Sequence, residues 1–382
     1  MAVIPMLGTV GISKEGVGML GRRVRWRWFM GLAIAVISLA TACQSQQVNT
    51  PDATNGATNP PVATTPIMLN GTGASFPLFF YERVFSEYRQ AVDPNLQVNY
   101  QAIGSAAGIQ QVISNTVDFG ASDIAMTDEE VAQVNSGVVL IPMTAGTVAI
   151  AYNLPNIESS LKLPRTALVD IFLGKLTNWN DPAIAAANPD IALPDLPITL
   201  VHRSDGSGTT ATVTAHLSAI SSDWQAQVGA GLNVDWPAGV GIKSNTGVSA
   251  QIQQAQGTIG YVEYSYAQKL GLPIAALENQ SGQFIEPNSA TGLKGLETAD
   301  MPANLKVFVT DPAAVDAYPI VTYSWILAYQ QYADAAKGEA LKAVLKWGLS
   351  EGQQFSEQLG YVPLPVDVVE QAIAAVEGIE AG

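Results

Sequence analysis

Three short stretches of this chain place small residues and hydroxyls where a helix is about to begin. They are Gly71-Thr72-Gly73-Ala74-Ser75-Phe76-Pro77, Gly104-Ser105-Ala106-Ala107-Gly108, and His202-Arg203-Ser204-Asp205-Gly206-Ser207-Gly208-Thr209-Thr210. Glycine lets a backbone turn tightly and approach a ligand closely. Ser75 and Ser105 suit a helix N-cap, and Pro77 suits a first turn. A helix start exposes unpaired N–H groups and the positive end of the dipole, and so favours anions. One such turn reads as a plain cap; three in one chain point towards an anion site. The third also carries Arg203, whose planar fork can hold two oxygens of a tetrahedral anion, and Asp205, which can hold that fork in place. A surface ion pair is the plain reading of those two residues.

Asp123 ends the run Asp118-Phe119-Gly120-Ala121-Ser122-Asp123, a short strand whose C-terminal end is where α/β proteins bind ligands. Alone it reads as a turn cap. A carboxylate facing an anion is repulsive unless the anion brings a proton to donate. Phosphate keeps a proton near neutral pH and sulfate does not, so a buried acceptor there selects phosphate by leaving sulfate with a like-charged, unpaired contact.

These residues need a scaffold of alternating strands and helices, and the pattern supplies one from about residue 67. Strands are expected over 67–70, 97–102, 118–121, 138–143, 147–152, 198–202, 257–261 and 320–329. Helices are expected from Pro77, over 106–114, 165–173, 209–219 and 264–270, and at about 333–358 and 365–378. Tyr81, Val84, Phe85 and Tyr88 recur at i, i+3, i+4, i+7 and define one buried face. Val366, Val369, Ile373 and Val376 form a similar stripe. Alternation of this kind implies largely parallel sheets covered on both faces.

At 382 residues the chain suits two domains of ordinary size, and 48% hydrophobic with 13% charged residues is the composition of a folded soluble body. The net charge of -15 argues against a nucleic-acid partner. It does not exclude an anion, because such a site depends on local donors. Cys43 is the one cysteine, so no intrachain disulfide is possible, and only His202 and His216 could serve as histidine ligands or bases. No CxxC, HExxH or EF-hand spacing occurs, so neither metal nor cofactor is expected.

Arg22, Arg23, Arg25 and Arg27, then an apolar run over 29–42, then Cys43, have the layout of a secretory signal. The run is too short to span a bilayer comfortably. Met19 offers an alternative start, and Arg22-Arg23 a weak twin-arginine signal. Ala40-Thr41-Ala42-Cys43 resembles a bacterial lipobox, although Leu39 lies four places before the cysteine rather than three. Lipidation at Cys43 is the expectation, with an ordinary signal peptide as the alternative. Loss of 1–42 removes five basic residues and one acidic residue, making the body more acidic. Residues 44–66, rich in Gln, Asn, Thr, Pro and Ala, read as a tether.

The chain resembles the periplasmic phosphate-binding protein of the phosphate-specific ABC transporter. The resemblance runs from about Leu69 to Glu370 through GTGASFP (71–77), AIGSAAG (102–108), NTVDFGASD (115–123), LGKLTNWND (173–181), RSDGSGT (203–209), GTIGYVEYSYA (257–267) and YVPLP (361–365). It implies an α/β, two-lobed periplasmic-binding-protein fold (Venus flytrap, type II) with the ligand cleft between lobes. The expected division is signal 1–42, tether 43–66, first lobe 67–148, second lobe 149–321 and a return to the first lobe over 322–382. Position by position it implies donors from Ser75, the Phe76 N–H and Ser105, a proton acceptor in Asp123, and a cationic clamp in Arg203 oriented by Asp205. Ser207, the Gly208 N–H and Thr209 complete the cage. The family often has Thr where Ser75 stands, and Ser-Gly-Gly where this chain has Ala106-Ala107-Gly108, whose alanines limit the backbone there.

The implied partners are hydrogen phosphate, permease subunits and, through a lipid anchor, a membrane, with an exported, periplasmic or cell-surface monomer expected. Alternatives are a tethered sensor or scavenger without a permease, the same fold holding another oxyanion such as arsenate, and a serine-dependent phosphate-ester hydrolase. Ser207 lacks nucleophile-elbow spacing and metal ligands are missing, which disfavours the last.

Overall fold

Strands rich in β-branched and aromatic residues, punctuated by small-residue turns, assemble into one eight-stranded sheet and two small ones, of three and two strands, in a computed structural model that describes residues 66–157 and 160–382. The expectations for the signal segment, the tether and Cys43 concern residues outside those described.

In chain order the strands are β1 (Ile67–Gly73), β2 (Leu96–Gln101), β3 (Phe119–Ser122), β4 (Val138–Tyr152), β5 (Lys162–Leu163), β6 (Thr199–Arg203), β7 (Val240–Ile242), β8 (Thr258–Glu263), β9 (Ala276–Glu278), β10 (Phe284–Ile285), β11 (Val321–Tyr329), β12 (Gln331–Tyr332) and β13 (Glu380–Ala381). The helices are α1 (Leu78–Ala91), α2 (Ser105–Ile113), α3 (Asp128–Val131), α4 (Arg165–Phe172), α5 (Pro182–Ala185), α6 (Gly208–Ile220), α7 (Ser222–Gln227), α8 (Ser244–Gln254), α9 (Tyr264–Leu270), α10 (Ser289–Leu296), α11 (Ala335–Leu349) and α12 (Val366–Glu377).

The main sheet runs β2-β1-β3-β11-β4-β8-β6-β7. Its two flanks are parallel, as alternation predicts: β1 lies parallel to β2 and β3, and β6 parallel to β8 and β7. The centre departs from that expectation. β11 is antiparallel to both β3 and β4, and β4 is antiparallel to β8. The sheet is therefore mixed, because β4, which passes between its halves, and β11 beside it run against their neighbours. The separate strands expected over 138–143 and 147–152 are one strand of 15 residues. Thr144, Ala145 and Gly146, which look like a break in sequence, stay extended and pair with β11. β4 pairs with β11 up to Thr147 and with β8 from Val148, so it passes from one half of the sheet to the other within one step. A bulge lies beside this passage, at Ser324/Trp325; bulges bend strands and redirect side chains.

The face of α1 is buried as expected, with Tyr81, Val84, Phe85 and Tyr88 inside. The stripe on α12 is rotated: Val366 is exposed, and Val368, Ala372 and Val376 are the buried residues. Both sets fit a helical period, and contact with β4 and α11 selects between them. The long helix expected at 333–358 ends at Leu349 and continues as two 3-10 turns.

Candidate functional site

Strand ends bring the three glycine-rich turns to one place. β1 leads into Ser75 and Phe76, β3 into Asp123, and β6 into Arg203, while β2 leads to Gly104 and the start of α2. Ser75, Phe76, Ser105, Asp123, Arg203, Ser207, Gly208 and Thr209 are all buried, and Asp205 is partly buried.

Asp123 sits at the meeting point. Its backbone N–H donates to Ser105 Oγ at 3.2 Å, and Ser105 Oγ lies 3.4 Å from its Oδ2. Ser324 Oγ donates to its Oδ1 at 2.9 Å, and Thr322 Oγ1 donates to its backbone carbonyl at 3.0 Å. Burial drives the carboxyl up to about 7; Ser324, the Arg203 charge and Ser105 pull against that rise, and Asp205 adds to it.

Arg203 is clamped from behind. Its Nε donates to Asp205 Oδ1 at 2.8 Å and its Nη2 to Asp205 Oδ2, a two-pronged pair. Burial pushes the Asp205 carboxyl up, and the Arg203 partner outweighs that and holds it below the usual range. Asp205 also accepts from Ser244 N at 3.0 Å. Arg203 N donates to Tyr261 Oη at 2.9 Å, so both ends of the residue are fixed. Its Nη1 lies 3.5 Å from Thr209 Oγ1.

Ser207 caps α6 with its hydroxyl, accepting from Thr210 N at 3.1 Å. Gly208 N donates to Ser105 Oγ at 3.1 Å, joining the second turn to the third. A Cβ on Gly208 would lie 2.6 Å from Asp123 Cβ and 2.7 Å from Ser105 Oγ, so only glycine permits this approach. The same two turns meet again where Ala106 N donates to Gly206 O at 3.1 Å. That amide is therefore engaged by the opposite turn.

The capping expected of two serines differs. Ser105 is the first residue of α2, behind Gly104 at φ 109, and has no capping role. Ser75 lies ahead of α1, whose N-cap is Pro77. Both hydroxyls are released from capping and face other site residues.

Four residues that the motifs did not single out also belong to this cluster. Asn245, near the start of α8, donates from N and Nδ2 to Ser75 Oγ at 3.2 and 3.0 Å. Ser324 and Thr322 come from β11, and Glu263 from the end of β8 donates its N–H to Asn245 Oδ1 at 3.1 Å. The run Ser244-Asn245-Thr246-Gly247 ahead of Val248 and Ile252 has the composition of a helix start and was the available signal for Asn245. Ser324 has no local signal, since it is a lone serine within a strand that is buried throughout.

Of the two histidines, His202 stacks on Trp236 at 4.8 Å, and burial lowers its pKa. His216 lies 3.7 Å from Asp311, which also pairs with Arg165, and burial lowers it to about 4. No group of three or more His, Cys, Asp or Glu placed to hold a metal occurs among the described residues.

The family model for the PBP superfamily domain matches residues 49–351. The chain is 38% identical to "Phosphate-binding protein PstS" of Xylella fastidiosa, over 91% of this chain and 97% of that one. It is 41% identical to the protein of that name from Haemophilus influenzae, over 79% of this chain and 90% of the relative. Among solved structures, a phosphate-binding protein from Stenotrophomonas maltophilia aligns with a TM-score of 0.62 at 21% identity, covering 82% of this chain and 94% of that one. A periplasmic phosphate-binding protein named PfluDING, solved with phosphate, aligns with a TM-score of 0.66 at 18% identity, covering 83% and 96%. These structures share the fold, a two-lobed periplasmic-binding-protein architecture.

Proposed function

This chain belongs to the PstS-type phosphate-binding proteins of the PBP superfamily, and we propose that it captures inorganic phosphate outside the cytoplasm and delivers it to an ABC importer. The observation that carries this reading is the placement of one buried acceptor, Asp123, among donors: Ser105 and Ser324 touch it, and Arg203 lies close enough to bias its titration. An anion that fits there must carry a proton for Asp123, which hydrogen phosphate does.

The roles then divide by chemistry. Arg203 supplies charge, held in orientation by Asp205. Ser75, Ser207 and Thr209 supply hydroxyls and Phe76 a backbone N–H; Ser105 and the Gly208 N–H, which here bond to Asp123 and to each other, exchange those partners for the anion. The start of α6 adds the positive end of a helix. The lobes divide where β4 passes from β11 to β8, close to 148/149, and where β11 begins, close to 321/322. Phosphate binds by favouring the arrangement in which both lobes contact it at once, because only that arrangement makes every contact. The closed form docks on permease subunits, which reopen it. The protein acts as a monomer, held to a membrane through lipid on Cys43.

Binding without turnover is part of the proposal. Ser207 Oγ accepts from Thr210 N as a cap, and His202 stacks on Trp236 with its Nδ1 3.0 Å from Arg203 O; neither arrangement is that of a nucleophile with its base.

Arg203→Ala tests the assignment. Removing one partner of a buried, hydrogen-bonded charge pair costs about 2–5 kcal/mol. Phosphate affinity measured by calorimetry is expected to fall by about 100-fold or more. Unchanged affinity refutes the site.

A further inference from the structure

The cage hydroxyls share an unexpected neighbour. Asn245 is fully buried, and one side-chain amide meets two of them: Nδ2 lies 3.0 Å from Ser75 Oγ and 3.3 Å from Thr209 Oγ1. Ser75 stands on the turn after β1 and Thr209 at the start of α6, so this amide spans two of the three turns. The amide orientation is settled by its other end. Oδ1 lies 3.1 Å from the backbone nitrogen of Glu263, which can only donate, so the oxygen must face Glu263 and the NH2 must face the hydroxyls.

That orientation has a consequence for the protons. A hydroxyl has one hydrogen to give and two lone pairs to receive with. Ser75 Oγ receives from Asn245 Nδ2 and also from Asn245 N at 3.2 Å. Both of its acceptor positions are filled, and its hydrogen is left to be donated elsewhere. Thr209 Oγ1 receives from Asn245 Nδ2 and, at 3.5 Å, faces Arg203 Nη1. Its hydrogen is likewise directed away from these donors. Two hydroxyls that could otherwise rotate are thus set as donors before an anion arrives. The backbone around Asn245 is held to the same end. Ser244 takes φ 65, an uncommon conformation for serine, and its N–H is bound by Asp205, the partner of Arg203.

We propose that Asn245 is a positioning residue for the phosphate cage: it orients the Ser75 and Thr209 hydroxyls as hydrogen-bond donors and joins the two turns that carry them. The inference rests on the phosphate reading above, and deepens it by assigning the proton polarity of the cage to one side chain. Such polarity favours an anion over any ligand that must donate to those oxygens.

The test is phosphate titration of the full-length protein and four variants. Asn245→Ala removes the orienting donors, and affinity is expected to drop about 10-fold, the scale of weakened hydrogen bonds to a charged ligand. Ser75→Ala removes one oriented hydroxyl and is expected to weaken binding similarly. In the double variant the two losses should combine to clearly less than their product, because Asn245 acts partly through Ser75. Asn245→Asp keeps the shape and the acceptor for Glu263 but turns the other end from donor to acceptor. It is expected to bind more weakly than Asn245→Ala at about pH 8 and to recover as the pH is lowered and the carboxyl takes up a proton. This arm also serves if Asn245→Ala does not fold. Wild-type affinity in Asn245→Ala or Asn245→Asp overturns the proposal. Fully multiplicative losses overturn it too, since they would place Asn245 in a role independent of Ser75. A wild-type protein that binds no phosphate overturns the functional reading, and this inference with it.

Discussion

A carboxyl whose pKa is pushed up to about 7 carries a proton about half of the time at neutral pH, so Asp123 changes role across the physiological range. Above about 7 it is an acceptor with a negative charge, and sulfate meets repulsion. Below that it holds its own proton and can donate to sulfate. Sulfate affinity is therefore expected to rise as the pH falls from about 8 to about 6, whereas phosphate binds at both. Calorimetry at the two values checks this, and sulfate binding that does not change with pH would contradict it. In Asp123→Asn the amide can donate at any pH, so sulfate should bind at about pH 8 as well. Asp123, Arg203 and Asp205 were legible as members of this cluster, because each sits in a local motif with a physical reason. The contacts of Asn245 with Ser75 and of Ser324 with Asp123 were not legible, because each joins residues from different elements far apart in the chain.

The elements position these groups by close backbone approach. Gly208 starts α6 against Asp123 and Ser105, with no room for a side chain. Gly208→Ala must push the third turn away from the other two. Overpacking of this kind costs about 1–3 kcal/mol, and phosphate affinity should fall along with the melting temperature; an unchanged affinity would mean that the turns need not approach so closely. Glu263, at the end of β8, is fully buried beside the passage of β4, and its Oε1 has no partner among the described residues. Burial raises its pKa well above the ordinary value of 4.5. The folded form thus holds a proton that the unfolded chain releases above about 4.5, so this group stabilises the fold most at low pH and loses that contribution as pH rises. Glu263→Gln needs no proton. Relative to the parent, it should gain stability between about pH 5 and about pH 8, as read by denaturant unfolding at each pH; a difference that does not vary with pH would contradict a neutral, buried Glu263. At this scale the alternation of strands and helices was readable, and so were most inward faces. The helix starts at Ser75 and Ser105 were misread, since both serines have capping chemistry but are engaged by groups from elsewhere. The α12 stripe was misread because two sets of apolar residues fit one period and only packing decides between them.

Over the whole molecule, one sheet carries the two parallel flanks, and the antiparallel strands β4 and β11 connect them. Local pattern favours parallel pairing and carries no sign of strands that run between halves, which is why the mixed centre was not expected. The topology gives the binding cycle a mechanical basis. The site draws on turns from both flanks, with few strands between them to bend. An anion that bonds to both flanks at once should favour the closed arrangement, and scattering should record a smaller radius of gyration with phosphate than with sulfate at about pH 8. Equal radii would separate binding from closure. The central claim, that this cage selects a protonated tetrahedral anion through Asp123, is tested most directly by calorimetric titration of the anion-stripped protein at about pH 8, first with phosphate and then with sulfate. The account predicts tight one-to-one binding of phosphate and no heat from sulfate. Equal binding of the two anions, or binding of neither, would contradict it.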